Sequence, residues 1–314
     1  KLRFAPKQKE AIMAAAEDKV LIITGGPGTG KTTIIRAIIE ILRQLTPKIV
    51  LAAPTGRAAK RMEESTGVKS QTIHRLLEYG PEGFQKGTDD PLDADVVIVD
   101  EASMIDISLM YNLAKAIPHH ATLILVGDIN QLPSVGPGSV LADMIASEEF
   151  KTIYLDEIFR QSQQSQIVVN AHQINNGYMP IITNNLQSDF FFFKEENPER
   201  AANLIVDLCA NRIPRTFGFK PQDIQVLSPM HKGVVGVGNL NSMLQTALNR
   251  NHVEVARGGQ VFRLKDRVVQ LKNSYDKDVF NGDIGEIVFI DNEEQEVKIK
   301  FDDRVVAYDF SELD

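Results

Sequence analysis

The sequence has a single cysteine, Cys209, in 314 residues, so no intramolecular disulfide can form and a disulfide-stapled scaffold is excluded. Its six histidines are scattered and lack paired cysteines, which argues against a zinc module. No apolar run approaches the roughly 18 residues that a membrane span needs. No secretory leader stands at the start, so a cytoplasmic protein without membrane contact is expected. Basic residues are not in excess either, because the formal net charge is −8. That charge is local: residues 283–314 hold eleven acids against Lys298, Lys300 and Arg304, and the rest of the chain sums to zero. Net charge therefore does not exclude a nucleic-acid ligand, for which a local basic stripe is enough.

What is present is a globular composition, 43% hydrophobic and 24% charged, which argues against wholesale disorder. At roughly 100–200 residues per domain the length suggests two or three domains. Short apolar runs at residues 20–24, 49–53, 96–99 and 123–126 alternate with helical patterns. In residues 32–45 the spacing of Ile34, Ile35, Ile38, Ile39, Ile41, Leu42 and Leu45 predicts a helix, and a second helical stretch follows residue 53. Alternating strands and helices imply an α/β fold around a parallel sheet with both faces covered. Residues 79–91 break the pattern with Gly80, Pro81, Gly83, Gly87 and Pro91, as an inserted hairpin or exposed loop would. Between about 161 and 252 the α/β pattern resumes, with an apolar run at 224–228 and a helical stretch at 239–248. After Gly258-Gly259 come short runs at 261–264, 267–271, 285–290, 297–301 and 305–310, which read as a small all-β domain.

Residues 25–32 read Gly-Gly-Pro-Gly-Thr-Gly-Lys-Thr, between an apolar strand and a helix. Glycines let consecutive backbone N–H groups curl around a phosphate, and the following helix presents its positive end to the same anion. Gly26, Pro27, Gly28, Thr29, Gly30, Lys31, Thr32 and Thr33 are thus the candidate phosphate-binding residues. In this spacing Lys31 reaches the terminal phosphates and the Thr32 hydroxyl takes magnesium. A dinucleotide fold has no role for Lys31-Thr32. Asp100-Glu101 closes the run at 96–99, at a strand's C-terminal end. Asp100 is a candidate magnesium ligand and Glu101 a candidate base for the attacking water. The plain alternative is a solvated acidic helix start.

Taken together, residues 25–32, 97–103 (Val-Ile-Val-Asp-Glu-Ala-Ser) and 126–133 (Val-Gly-Asp-Ile-Asn-Gln-Leu-Pro) resemble superfamily-one helicases. Residues 53–62, 72–77, 134–138, 155–161 and 279–285 narrow the resemblance to the RecD-like branch, the exodeoxyribonuclease V alpha-subunit or RecD/TraA type. The resemblance implies ATP-driven, 5′ to 3′ translocation on single-stranded DNA, duplex unwinding, and ATP with Mg2+ bound between two RecA-like domains. It implies that Gln8 reads adenine, Gln131 senses the γ-phosphate and Arg160 contacts phosphate. It implies a RecA-like domain at 1–160 with a duplex-splitting hairpin near 79–92, a partial second RecA-like domain at 161–254, and an SH3-like all-β insertion at 255–314. Single-stranded DNA and duplex junctions are the implied partners, with subunits of a recombination or repair complex. The family continues beyond the SH3-like insertion and begins before the phosphate loop, so a truncated, slowly hydrolysing core is expected.

For DNA the resemblance points to Pro54, Thr55, Thr72, His74, Pro133 and Ser134, and in the later region to His231 and Lys232. Arg57, Lys60, Arg61, Lys69 and Arg75 form a modest basic stripe suited to phosphates. The plain alternatives are a solvated helix face for the stripe, an exposed polar residue at Gln8, a surface salt bridge at Arg160, and a packed core histidine at His74. Two other functions stay open on the residues: a phosphate-loop ATPase of another class, and a nucleotide- or DNA-binding module without turnover.

Overall fold

The β-branched runs of the first half become strands of one parallel sheet. The computed structural model describes residues 4–157, 164–185, 187–274, 276–277, 279, 281–302 and 304–313. The chain divides into two units, Lys1–Phe192 and Phe193–Asp314. The first contains α1 (Pro6–Glu17), β1 (Val20–Gly25), α2 (Lys31–Leu42), β2 (Ile49–Ala53), α3 (Gly56–Thr66), β3 (Ser70–Thr72) and α4 (Ile73–Leu76). There follow β4 (Tyr79–Gly80), β5 (Gly83–Phe84), β6 (Val96–Val99), α5 (Ile107–Ala116), β7 (Thr122–Gly127), α6 (Val140–Ala146), β8 (Lys151–Leu155) and α7 (Gln166–Asn175). The six-stranded sheet runs β3-β2-β6-β7-β1-β8, and every neighbouring pair is parallel.

The strand period of two sorts β1 between two layers. Leu21 and Ile23 join Ile34, Ile35, Ile38 and Leu42 of α2 and Ala11 and Ala14 of α1 in one core. Ile22 faces the other way, with Val97, Val99, Leu123, Leu125 and the α5 residues Leu109 and Leu113. Each fully buried isoleucine or leucine contributes about 1.5–3 kcal/mol relative to exposure, so these two layers hold the sheet rigid. Helix α2 ends at Leu42, short of the expected 45, and Leu45 is exposed. Pro47 follows closely and disfavours helical backbone at the residue before it.

A close approach closes the end of β1. A methyl group at Gly25 would stand 2.7 Å from Thr29 Oγ1, 2.8 Å from Leu155 Cβ and 2.9 Å from the Leu155 carbonyl. Backbone cannot yield as a side-chain tip does, so Gly25→Ala is expected to destabilise the protein by about 1–3 kcal/mol. A melting temperature equal to wild type would show that the β1–β8 contact is looser than described.

Within residues 79–91, expected as an inserted hairpin or exposed loop, β4 and β5 pair antiparallel, Tyr79 opposite Phe84. The chain beyond it is tied back, with the Gln85 and Lys86 amides donating to the Leu77 carbonyl at 3.1 and 3.2 Å.

The second unit contains α8 (Pro198–Asp207), α9 (Ile213–Phe217), α10 (Val237–Leu248) and the β9 (Glu254–Arg257) to β10 (Gln260–Arg263) hairpin. A four-stranded antiparallel sheet follows, β11 (Arg267–Val269), β12 (Ile284–Asp291), β13 (Glu296–Phe301) and β14 (Arg304–Asp309), in sequential order. Val255, Ile287, Val297, Ile299, Phe301 and Tyr308 form its core. The apolar run at 224–228 pairs with no strand among the described residues, and the Ile224 carbonyl accepts from Arg267 instead. A parallel strand needs neighbours delivered by crossovers, and the described residues around it supply none. No helix among the described residues is long and apolar enough to cross a membrane. Cys209 is buried and unpaired.

Candidate nucleotide-binding site

Because all six strands run the same way, their C-terminal ends share one edge of the sheet. α/β sheets bind ligands at that edge. There β1 leads into residues 25–30, β2 into Pro54-Thr55, β3 into His74, β6 into Asp100-Glu101, and β7 into residues 128–134. Candidate residues far apart in sequence are therefore gathered by strand direction alone.

Side chains satisfy the carbonyls of the loop after β1. Lys31 Nζ donates to the Gly25 carbonyl at 2.6 Å and to Gly26 at 3.2 Å. Thr29 Oγ1 donates to Gly26 at 2.8 Å, and Gln8 Nε2 donates to the Thr29 carbonyl at 3.2 Å. Gly28 and Gly30 have positive φ, 78° and 81°, which places successive amides on the inner side of the curve. Helix α2 starts at Lys31 with no side-chain cap, so its first N–H groups add to the same positive end. Such a loop has the features that a phosphate cradle needs. Thr32 sits exposed on the helix's first turn, and Thr33 is half-buried beside it.

Gln8 is not the exposed polar residue of the plain reading. It is 2% exposed, and its amide is spent on Thr29 and on the Ala5 N–H, which donates to Gln8 Oε1 at 3.0 Å. It braces the loop from α1.

Burial shapes the two acids. It pushes the Asp100 carboxyl above the ordinary carboxylate range, against the Glu101 amide hydrogen bond and the charges of Lys31 and Arg61. Glu101 is also pushed up, by burial first and by the neighbouring Asp100 second, with Lys31 and Arg61 opposing. The Glu101 amide donates to Asp100 Oδ1 at 2.9 Å. Glu101 itself has φ 52°, the left-handed region that costs a non-glycine residue about 1–3 kcal/mol. The packed ends of β6 and the turn at Ala102–Met104 hold it there.

A raised carboxyl has a defined effect on stability. Between the unfolded and folded pKa values the native state binds more protons, so stability falls as pH rises through that window. The deficit persists at neutral pH. Asp100→Asn keeps the oxygen that accepts from Glu101 and removes the buried charge. It is expected to raise the melting temperature at pH 7 in the presence of a chelator, with the gain shrinking as pH falls toward about 4. An unchanged or lower melting temperature at pH 7 would contradict this electrostatic account.

The loop after β7 is fastened to β1. Thr24 Oγ1 accepts from the Ile129 amide at 3.1 Å, and buried Asp128 accepts from the Asn130 amide at 3.0 Å. The Asp128 carbonyl accepts from the Gln131 amide at 3.1 Å. Gln131 is exposed and lines a small cavity with Ser103, Ile129, Pro133, Ser139 and Leu141. Ser103 Oγ, just after Asp100-Glu101, is buried with no partner among the described residues. The cavity therefore adjoins both catalytic candidates' loops.

The DNA candidates of the first unit occupy the same edge, and several of them cap helices. Thr55 accepts from the Ala58 amide at 3.3 Å and Thr72 from the Arg75 amide at 3.1 Å. Arg57 is exposed beside half-buried Pro54. Ser134 donates to the Gly136 and Gly138 carbonyls at 2.9 and 3.0 Å, next to exposed Pro133. His74 meets Tyr79 edge-on, centroids 5.5 Å apart, and lies 5.7 Å from Phe84. Burial holds its imidazole below the ordinary value, with Asp106 opposing, which favours the neutral ring. His231 and Lys232 are exposed in the second unit. Arg160 lies outside the described residues.

Sequence reasoning missed Thr24, Asp128 and His172, and it placed Arg61 only in the basic stripe. Thr24 and Asp128 follow from their position at strand ends. Arg61 acts on both acids through charge, a relation set by how α3 packs. His172 lies on α7, and its ring reaches the loop: Nε2 is 3.3 Å from the Pro27 carbonyl. No local pattern marks it.

With this geometry in hand, likeness to known proteins is informative. The model of the AAA domain family matches residues 8–137, and that of the SH3 domain of ATP-dependent RecD-like DNA helicases matches residues 240–301. The chain is 35% identical over 312 residues to the ATP-dependent RecD2 DNA helicase of Deinococcus radiodurans, covering 99% of this chain and 41% of that protein. It is 27% identical over 322 residues to the RecBCD enzyme subunit RecD of Mycolicibacterium smegmatis, covering 90% and 57%. Among solved structures, the Pif1 helicase of Candida albicans aligns with a TM-score of 0.52 at 20% identity, covering 98% of this chain and 78% of that one. At that identity the likeness concerns the fold, which is the α/β, RecA-like arrangement with a small antiparallel region. The chain spans about half the length of these curated relatives.

Proposed function

From a chain that is RecD-like along its length, we infer the ATP-hydrolysing core of a DNA helicase. The observation that carries this reading is the meeting, at one sheet edge, of a glycine-rich loop, Lys31 and two half-buried acids on which Lys31 acts. The cradle's inward amides take the phosphates and Lys31 neutralises their charge. Gln8, which braces the loop from α1, is the proposed adenine contact. Magnesium fits the donors: Asp100 is a carboxyl that burial penalises when charged, and a cation would relieve that penalty. Thr32 and Asp100 would hold it together with phosphate oxygens, and when bound it supplies charge neutralisation at the terminal phosphates. Glu101 takes the proton of the attacking water. Gln131, on the loop fastened to β1, reports the phosphate's state to the neighbouring edge, and Arg160 supplies a further cation to the phosphates.

Single-stranded DNA is the proposed track, travelled 5′ to 3′, with duplex junctions as the point of work at the hairpin near 79–92. Pro54, Thr55, Arg57, Thr72, His74, Pro133 and Ser134 stand at the same edge of the sheet as the cradle, so hydrolysis and DNA contact share loops. His231 and Lys232 add exposed donors from the second unit. The proposed organisation is a RecA-like domain at 1–160, part of a second at 161–254, and an SH3-like insertion at 255–314. The Mycolicibacterium smegmatis relative is named as a subunit of the RecBCD enzyme, so recombination and repair subunits are the proposed protein partners. A labelled single strand is expected to bind with affinity that falls steeply as salt rises, because phosphate contacts release counterions. No binding at low salt would overturn the DNA half of the reading while leaving the nucleotide half intact.

A further inference from the structure

The carbonyls of the candidate phosphate loop have donors from three places. Lys31 and Thr29 belong to the loop and its helix, and Gln8 comes from α1. The Pro27 carbonyl is reached by a residue from far along the chain, His172, at 3.3 Å. A carbonyl only accepts, so the proton must sit on Nε2 for this contact to bond. The same ring covers Gly26. A methyl group there would stand 2.7 Å from His172 Cε1 and 3.3 Å from Nε2. Glycine at 26 therefore makes room for the imidazole as well as for a phosphate.

His172 is held in place by α7. Asp189 Oδ1 accepts from the Gln166 and Ile167 amides at 2.7 and 3.1 Å, and Ser165 Oγ accepts from the Val168 amide at 3.3 Å. Buried Asn170 fixes the helix from its other side: its Nδ2 donates to the Ile181 carbonyl at 2.9 Å, and its Oδ1 accepts from the Ile181 amide at 2.8 Å. Two residues on, His172 projects onto the loop from a capped and tethered helix. Such support is what keeps a side chain within the tolerance a binding site needs.

We propose that His172 is a positioning residue for the nucleotide: it holds the Pro27 carbonyl outward and packs on Gly26, so that the loop's amides stay turned toward the β-phosphate. This rests on the reading of the loop as a nucleotide site. It also joins α7 to the phosphate cradle, so a shift of α7 would be felt at the bound phosphates.

The test measures binding of a fluorescent N-methylanthraniloyl ADP and its displacement by ATP and by inorganic pyrophosphate. Wild type is compared with His172→Phe, His172→Ala and His172→Gln, with Lys31→Ala as control. Phenylalanine keeps the ring over Gly26 and removes the donor, whereas glutamine restores a donor. Losing one hydrogen bond is worth about three- to ten-fold in affinity. His172→Phe and His172→Ala are expected to weaken ADP, ATP and pyrophosphate together by that factor, and His172→Gln to stay within about two-fold of wild type. Wild-type affinity in His172→Phe would overturn the proposal. So would an equal loss in all three variants, which marks general disturbance of packing. If wild type binds no ADP, or binds it equally well in Lys31→Ala, the nucleotide reading itself fails, an outcome distinct from failure at His172 alone.

Discussion

Glu101→Gln is expected to lower steady-state ATP hydrolysis by about 10²–10⁴-fold, the usual weight of a positioned general base, while leaving ATP affinity within about two-fold. Glutamine matches glutamate in size and keeps the left-handed turn, so the change is chemical. The proposed base must be ionised to take a proton, and burial with the adjacent Asp100 raises its pKa above that of an exposed glutamate. A base poised there is more effective than an exposed carboxylate of ordinary pKa. The rate is accordingly expected to rise with pH through that raised pKa, with the acid limb set above the range of an exposed glutamate. Lys31 and Arg61 keep the shift from growing further. Turnover within a few-fold of wild type in Glu101→Gln would assign the water to another group.

Lys31→Ala is expected to weaken ATP binding by about 10²–10³-fold, two charge-assisted hydrogen bonds at about 1.5–3 kcal/mol each with partial compensation. The loss has two sources. One is the cation that neutralises phosphate charge. The other is the loop itself, because Lys31 is the donor to the Gly25 carbonyl and one of two donors to Gly26. Lys31→Arg separates them. It keeps the charge but not a compact three-donor head, and it is expected to recover only part of the affinity. ATP binding within about three-fold of wild type in Lys31→Ala would remove the loop from the nucleotide site.

The first unit was legible because its strands are buried on both faces. Residues 20–24, 49–53 and 96–99 are apolar apart from Thr24, and they are β1, β2 and β6 almost to the residue. The runs after residue 258 were legible for the opposite reason: one-sided burial leaves an alternating pattern, as in Val297, Ile299 and Phe301. Strands β3 and β8 were not legible. Ser-Gln-Thr and Lys-Thr-Ile-Tyr-Leu lie at the two sheet edges; β3 buries polar Ser70 and Thr72, and β8 leaves Lys151 and Tyr154 exposed, so neither reads as an apolar run. The run at 224–228 is the converse case, a largely apolar stretch with no strand to pair with among the described residues.

The site divides in the same way. Residues 25–32 and Asp100-Glu101 stand out as candidates because phosphate chemistry demands fixed residue types at fixed spacing on contiguous chain. Gln8 was picked out but its burial was not, since a polar residue on a weakly amphipathic helix carries no sign of what it faces. His172 and Arg61 act across the fold, from α7 to the loop and from α3 to the acids. Their partners are set by how helices pack on the sheet, which single-sequence periodicity does not encode.

One measurement bears most directly on the central claim that a nucleotide site and a DNA path share one sheet edge. It is the steady-state rate of ATP hydrolysis by this chain, with and without a single-stranded oligonucleotide, beside Lys31→Ala. The account predicts hydrolysis that rises on adding the strand and is lost in Lys31→Ala under both conditions. Hydrolysis indifferent to DNA, or persisting undiminished in Lys31→Ala, would contradict it.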